Sequence, residues 1–186
     1  MAQADWLTGG NRRALAVERI YSVTADLVSR AGFDAVSIDD VAERAGCSRA
    51  TVYRYVGGKS GLRTGVLTRS SARIAEAVQR EIGELQGSER VVAAITESLR
   101  AVRADAVASK FLAEAAPDEI RRFLAGSPQL AQTATVLTGL DTAQPLAAQW
   151  TVRVVLSLLI WPADSPATER QLIEQFVAPA FASGER

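Results

Sequence analysis

The chain has 186 residues, with 21 basic and 21 acidic side chains, one cysteine and no histidine. That length supports one sizeable core or a small head with a larger body, and zero net charge excludes a polycationic coat protein. A lone thiol without histidine excludes an intrachain disulfide framework, a Cys/His zinc site and Cys–His nucleophilic catalysis, so no cofactor or metal is expected.

Residues 1–10 contain Asp5 and no apolar run, so they read as an N-terminal arm rather than a secretory leader. The first helix carries Val17, Ile20, Tyr21, Thr24, Leu27, Val28 and Ala31 on one face and ends at Gly32-Phe33. Ser37-Ile38-Asp39-Asp40 has the form of a capping box, with Ser37 as N-cap and Asp40 a weaker N3 partner than Glu. The helix it opens runs to Ala45 and buries Ile38, Val41, Ala42 and Ala45. A tight turn at Gly46 leads to Ser48, a good N-cap, and to a two-turn helix from Arg49 to Val56 that Gly57 and Gly58 stop. Val52 and Val56, four apart, face the core, while Arg49, Thr51, Tyr53 and Arg54 point outward or along the flanks. A helix this short, rich in donors and without an acid, is poor core material and a good probe for a DNA groove. Two such helices joined by a glycine turn form a helix-turn-helix.

At residues 11–67 the chain resembles the DNA-binding domain of TetR-type transcriptional repressors. The run Thr51-Val52-Tyr53-Arg54-Tyr55-Val56, followed three residues later by Lys59, matches that family's third helix and the start of its fourth. Val56 replaces the usual aromatic, which thins the local core without touching the binding face. The resemblance implies that Arg49 and Thr51 read base edges, Arg49 as a bidentate donor to guanine, and that Arg54 reaches a base or a phosphate. It implies phosphate contacts for Tyr53, Tyr55 and Lys59, and for the helix starts at Ser37 and Ser48. The competing readings are core packing for Tyr53, capping alone for the two serines, and plain solvated surface for the arginines. Residues 1–75 hold 11 basic and 7 acidic side chains against 10 and 14 in residues 76–186. Positive potential is thereby placed on the head and kept off the body.

The body, residues 71–186 after a head at 11–70, reads as all helix, since no stretch alternates as a half-buried strand would. A long amphipathic helix covers residues 62–85, Gly87-Ser88 breaks it, and Ser88 caps the next helix to Arg103. Residues 106–115 follow, then a helix from Pro117 with Asp118 and Glu119 in its first turn. Ser127-Pro128 and Ser165-Pro166 are N-cap and N1 pairs opening helices to about Leu140 and Phe181. Pro145 opens the most apolar helix and Pro162 ends it after Trp161. The fold class is all-α, with about nine helices.

A helix as apolar as 145–161 must be buried on every side. One side meets the core and the other a second copy of the chain, with Val152, Val155, Leu156 and Leu159 joined by Leu172 and Phe176 of the last helix. The TetR resemblance implies the same four-helix homodimer, set on a palindromic double-stranded operator, and a small hydrophobic or aromatic effector that releases it. Phe111, Phe123, Trp150 and Arg153 are the candidate ligand contacts, Arg153 suiting an anionic group. Aromatic core packing and an interface ion pair are the plainer readings of those residues.

The sequence thus reads as a cytoplasmic, ligand-released repressor without a membrane partner. Its rival is a helical interaction protein, or an activator of the same fold without induction. Enzyme chemistry is not expected: the adjacent pairs Asp39-Asp40 and Asp118-Glu119 sit at helix starts, where acids belong and neighbours do not face each other.

Overall fold

In the computed structural model, residues 5–125, 128–139 and 145–181 are described, the side chains from residue 12 onward except 128, 129 and 145. They form ten α-helices: α1 Asp5–Ala31, α2 Ile38–Ala45, α3 Arg49–Val56, α4 Gly58–Ile82, α5 Gly87–Ala104, α6 Ala106–Glu114, α7 Pro117–Ala125, α8 Pro128–Thr138, α9 Pro145–Ile160 and α10 Pro166–Leu172. No strand occurs among the described residues. The chain divides into two compact units, Met1–Ser70 and Ser71–Arg186, and α4 contributes its first part to one and its remainder to the other. Because α1 begins at Asp5, most of the stretch read as an arm is helix. Ser127 and Leu140 fall outside the described residues.

At Ser165 the helix starts as its cap residues predict. Ser165 Oγ accepts from the Thr168 amide at 3.1 Å, with Pro166 at the first helical position. Asp105 ends α5 and caps α6, its Oδ1 accepting from the amides of Val107 and Ala108 at 3.0 and 2.9 Å. Its other oxygen takes the Arg73 guanidinium at 2.9 Å, tying the later part of α4 to the α5–α6 corner. Ser88 does not cap α5. The amide of Arg90 bonds the Gln86 carbonyl at 3.2 Å, so the ladder begins before Ser88, without a side-chain cap. The last helix also changes character: a π-helical turn at Ile173–Val177 and a 3-10 turn at Ala178–Ala180 follow α10. Pro179 has no amide to donate and its ring crowds the carbonyl four residues back, so a regular α-helix cannot run through it.

The body's core forms around α5. Val91, Val92, Ile95 and Leu99 meet Ile173, Val177 and Ala178, and Val154, Val155, Leu158 and Leu159 of α9 pack against that cluster. On its other side, Ala94 and Ala101 join Val78 and Ile82 of α4 and Leu137 of α8. Arginines close the gaps that apolar packing leaves at helix ends. Arg90 donates to the carbonyls of Leu137, Val136 and Leu85 at 2.9, 3.1 and 3.0 Å, satisfying chain ends that lack intrahelical partners. No helix among the described residues is long and apolar enough to cross a membrane.

One ion pair is deeply set. Glu169 is 4% exposed and receives both ends of the Arg103 guanidinium, at 2.8 and 2.6 Å. Arg103 also donates to the Leu158 carbonyl at 3.1 Å, and the Ala163 amide reaches Glu169 at 3.4 Å, so α5, the end of α9, the following turn and α10 meet at one carboxylate. The hydrogen bond from Arg103 holds the Glu169 carboxyl below the usual carboxylate range, against the opposing effect of burial. A lowered folded-state pKa stabilises the fold above the unfolded carboxyl's titration range, and that contribution is lost as pH falls through the folded value. Glu169→Gln should therefore cost about 3 kcal/mol at neutral pH, the low end for a broken buried pair because Arg103 keeps some solvent. Urea titrations across pH should show the variant's stability falling less on acidification than the wild type's; parallel acid limbs would contradict this linkage.

Candidate nucleic-acid interface

In the head, α2 and α3 are short helices whose ends are fixed by local chemistry. Ser37 Oγ accepts from the Asp40 amide at 3.1 Å and its hydroxyl donates to Asp40 Oδ2 at 2.6 Å, a variation on the capping box in which the carboxylate takes the hydroxyl. Ile38, Val41, Ala42 and Ala45 are buried, the four positions expected. Gly46 adopts φ 69°, a left-handed geometry that closes α2 through its amide to the carbonyls of Ala42 and Glu43. Arg19 of α1 then donates through Nε to the Ala45 carbonyl at 2.9 Å. Two residues after Gly46, Ser48 caps α3 by accepting from the Thr51 amide at 3.1 Å, and the two hydroxyls lie 2.9 Å apart.

Only Val52 and Val56 of α3 are buried. Arg49, Tyr53 and Arg54 are exposed and Thr51 and Tyr55 half-buried, while the helix carries no acid in its first turn. Arg49 does have a neighbour: its Nε lies 3.0 Å from Asp39 Oδ1 in the first turn of α2. The Tyr53 ring does not join the core. It is 56% exposed and lies over Gly58, where a Cβ would fall 2.6 Å from the ring. Tyr55 sits between two guanidinium groups, Arg54 at 5.0 Å and Arg13 of α1 at 5.3 Å from its centroid. Lys59 reaches back to donate to the Asp34 carbonyl at 3.2 Å, and Arg63 stacks on Phe33 at 4.7 Å. The exposed donors of α3 and the start of α4 thus sit beside further arginines. Sequence reasoning missed Arg13 because nothing local marks it; only the packing of α1 places it at Tyr55.

Close approach sets how α4 leaves α3. A Cβ at Gly61 would lie 1.5 Å from the Val56 carbonyl oxygen, which as backbone cannot swing aside. Further along, Gly65 lets α4 meet the Tyr21 ring of α1, and Arg69 covers that ring at 3.8 Å while pairing with Glu18.

The remaining candidate residues lie in the body. Phe111 is buried and meets Phe123 edge-on at 5.5 Å, so each ring fills the other's space. Trp150 and Arg153, expected to line a ligand pocket, instead stand exposed on α9, and the Arg153 guanidinium bonds Gln149 of its own helix at 3.2 Å rather than a carboxylate. The six residues expected at a dimer interface divide. Val155 and Leu159 lean on the α5 core, Val152 and Leu156 are half-buried, and Leu172 and Phe176 are exposed. The outward face of α9 is a different one, made by Leu146, Trp150 and Ile160 with Trp161, at 76, 53, 62 and 83% exposure. Gln149, Arg153 and Ser157, four residues apart, lie exposed on that same face, a polar stripe that a reading of α9 as apolar on every side passes over.

Residues 20–65 match the model of bacterial regulatory proteins of the tetR family. Over 186 aligned residues the chain is 32% identical to an HTH-type transcriptional regulator of Mycobacterium tuberculosis, found in strains CDC 1551 / Oshkosh and ATCC 25618 / H37Rv, covering 96% of this chain and 91% of the relative. The chain belongs to the TetR family. This TetR-family regulator is a DNA-binding transcription regulator with a helix-turn-helix head formed by α2 and α3. Its fold is shared with the TetR family repressor AlkX from Dietzia sp. strain DQ12-45-1b, at TM-score 0.63 and 23% identity over 87% of this chain and 92% of that one. It is shared also with AibR, solved with isovaleryl coenzyme A and operator DNA, at TM-score 0.55 and 15% identity over 88% and 98%.

Gly61→Ala should destabilise the TetR-family head by about 1–3 kcal/mol, the usual cost of forcing an atom into occupied space. Denaturant unfolding followed by circular dichroism measures this, and a wild-type midpoint would show that α4 can leave α3 by another path.

Proposed function

We propose that this regulator binds a pseudo-palindromic operator as a homodimer, with α3 of each copy in successive major grooves, and that a small hydrophobic ligand releases it. The observation that carries the reading is α3 itself: two valines inward, and Arg49, Tyr53 and Arg54 outward with Lys59 beyond. Arg49 and Thr51, at the helix N-terminus, are assigned to base edges and Arg54 to a base or phosphate. Tyr53, Tyr55 and Lys59, with the helix starts at Ser37 and Ser48, are assigned to the phosphate backbone. Arg49→Ala should weaken specific binding by about 1–3 kcal/mol and relax one base position per half-site. A binding-site selection compares the two proteins, and an unchanged preference would remove Arg49 from base reading.

Dimerisation rests on exposed apolar surface. Leu146, Trp150, Ile160 and Trp161 of the α9 region, with Phe176 at 68% and Leu172 at 39% exposure, are too many large apolar side chains to leave in water without a partner. A two-fold axis through this surface buries it against itself, and a dimer of helix-turn-helix heads reads half-sites about 34–36 Å apart on DNA. The Ile160→Glu, Phe176→Glu double variant should weaken self-association by about 3 kcal/mol or more, because each charge would be buried unpaired. Sedimentation should show monomer for the variant where the wild type is dimer; a variant that remains dimeric would exclude this face.

Ligand release is supported by an open cleft of about 730 Å³ in the body, between α4 and α8, where Ala75, Val136 and Leu137 stand among polar residues that include Glu76, Gln79 and Arg80. AibR, whose structure holds both a coenzyme A thioester and operator DNA, shows that this fold accommodates both kinds of partner. A ligand favouring the DNA-incompetent state by about 2.7 kcal/mol lowers operator affinity roughly 100-fold.

A further inference from the structure

The pair between Arg49 and Asp39 has no evident task in the fold. Both side chains are about two-thirds exposed, at 65 and 63%, and a pair so exposed contributes little to stability. Asp39 is not needed to cap α2, because Ser37 and Asp40 do that together. A carboxylate on this face also lowers attraction to a polyanion. What the pair does is orient. Asp39 Oδ1 lies 3.0 Å from Nε of Arg49, an ion-pair contact that draws the carboxylate to the Nε side of the guanidinium, while Nη1 and Nη2 form a two-pronged fork. Guanine presents O6 and N7 as two adjacent acceptors in the major groove, which a two-pronged donor matches. An arginine held in one rotamer before contact loses less freedom on binding than one that must find its geometry.

We propose that Asp39 is a positioning residue that fixes the Arg49 guanidinium for a guanine, sharpening base discrimination while reducing affinity for DNA in general. The inference rests on the base-reading role of Arg49. Its experiment uses the palindrome selected by the wild-type protein, with each of the four bases placed in turn at the position that Arg49→Ala relaxes, and random-sequence DNA as reference. Asp39→Ala should bind random DNA more tightly than the wild type. It should discriminate at that one base pair roughly two- to fivefold less, the span an exposed ion pair supports. Asp39→Asn keeps the shape but loses the charge that makes the contact, so it should share the gain on random DNA and lose discrimination at that one base pair as Asp39→Ala does. A loss confined to one base pair is a pattern that a merely structural or purely electrostatic role would not produce. If Asp39→Ala changes affinity for all four operators and random DNA by one common factor, Asp39 is only a charge and the proposal is overturned. If Arg49→Ala relaxes no position at all, the base-reading assignment of Arg49 fails first, and the two failures are thereby told apart.

Discussion

Two buried valines and two glycine turns hold α3 to the head, and everything this surface can do with DNA depends on that grip. An eight-residue helix is far too short to persist alone in water. Val52 and Val56 supply its only deeply buried contacts, Gly46 turns the chain from α2 toward it, Ser48 satisfies one orphan amide at its start and Gly57 closes its end. The economy has a purpose. Because so little of α3 is spent on the core, its remaining side chains stay in solvent as donors. The surrounding helices provide the rigidity α3 lacks: α1 clamps the end of α2 through Arg19, and Gly61 and Gly65 let α4 lie against backbone and ring where larger residues could not.

The body solves a different problem. It must bury a long apolar helix with too few neighbours, and it buries only part of it. Val154, Val155, Leu158 and Leu159 pack on α5, while Leu146, Trp150 and Ile160 look outward. Arginines then hold the periphery, Arg90 on four carbonyls and Arg103 on Glu169. Arginine suits both sites, since a rigid fork of donors can serve several acceptors at once.

What was legible in the sequence is what short-range chemistry encodes. A serine three residues before an amide, a glycine at a helix end and a proline in a first turn act within one turn of chain, so Ser37, Ser48, Gly46, Gly57 and Ser165-Pro166 announced their elements. The periodicity of α2 also gave its four buried residues. Contacts distant in sequence were not legible. The Arg103–Glu169 pair joins positions 66 residues apart, and Arg13 meets Tyr55 only through the packing of α1. Trp150 and Arg153 stand exposed on α9 because the helices that pack on it take its other side, a matter of contacts distant in the chain. Asp39 looked like an ordinary first-turn acid until its distance to Arg49 was known.

Everything proposed for this head turns on recognition of a particular DNA sequence through α3. The most direct measurement is binding of the purified protein to DNA flanking its own gene, by fluorescence anisotropy with footprinting across a salt series. A protected palindrome is expected, bound far more tightly than random DNA and weakening steeply as salt rises. Failure to bind any DNA at low salt would contradict it.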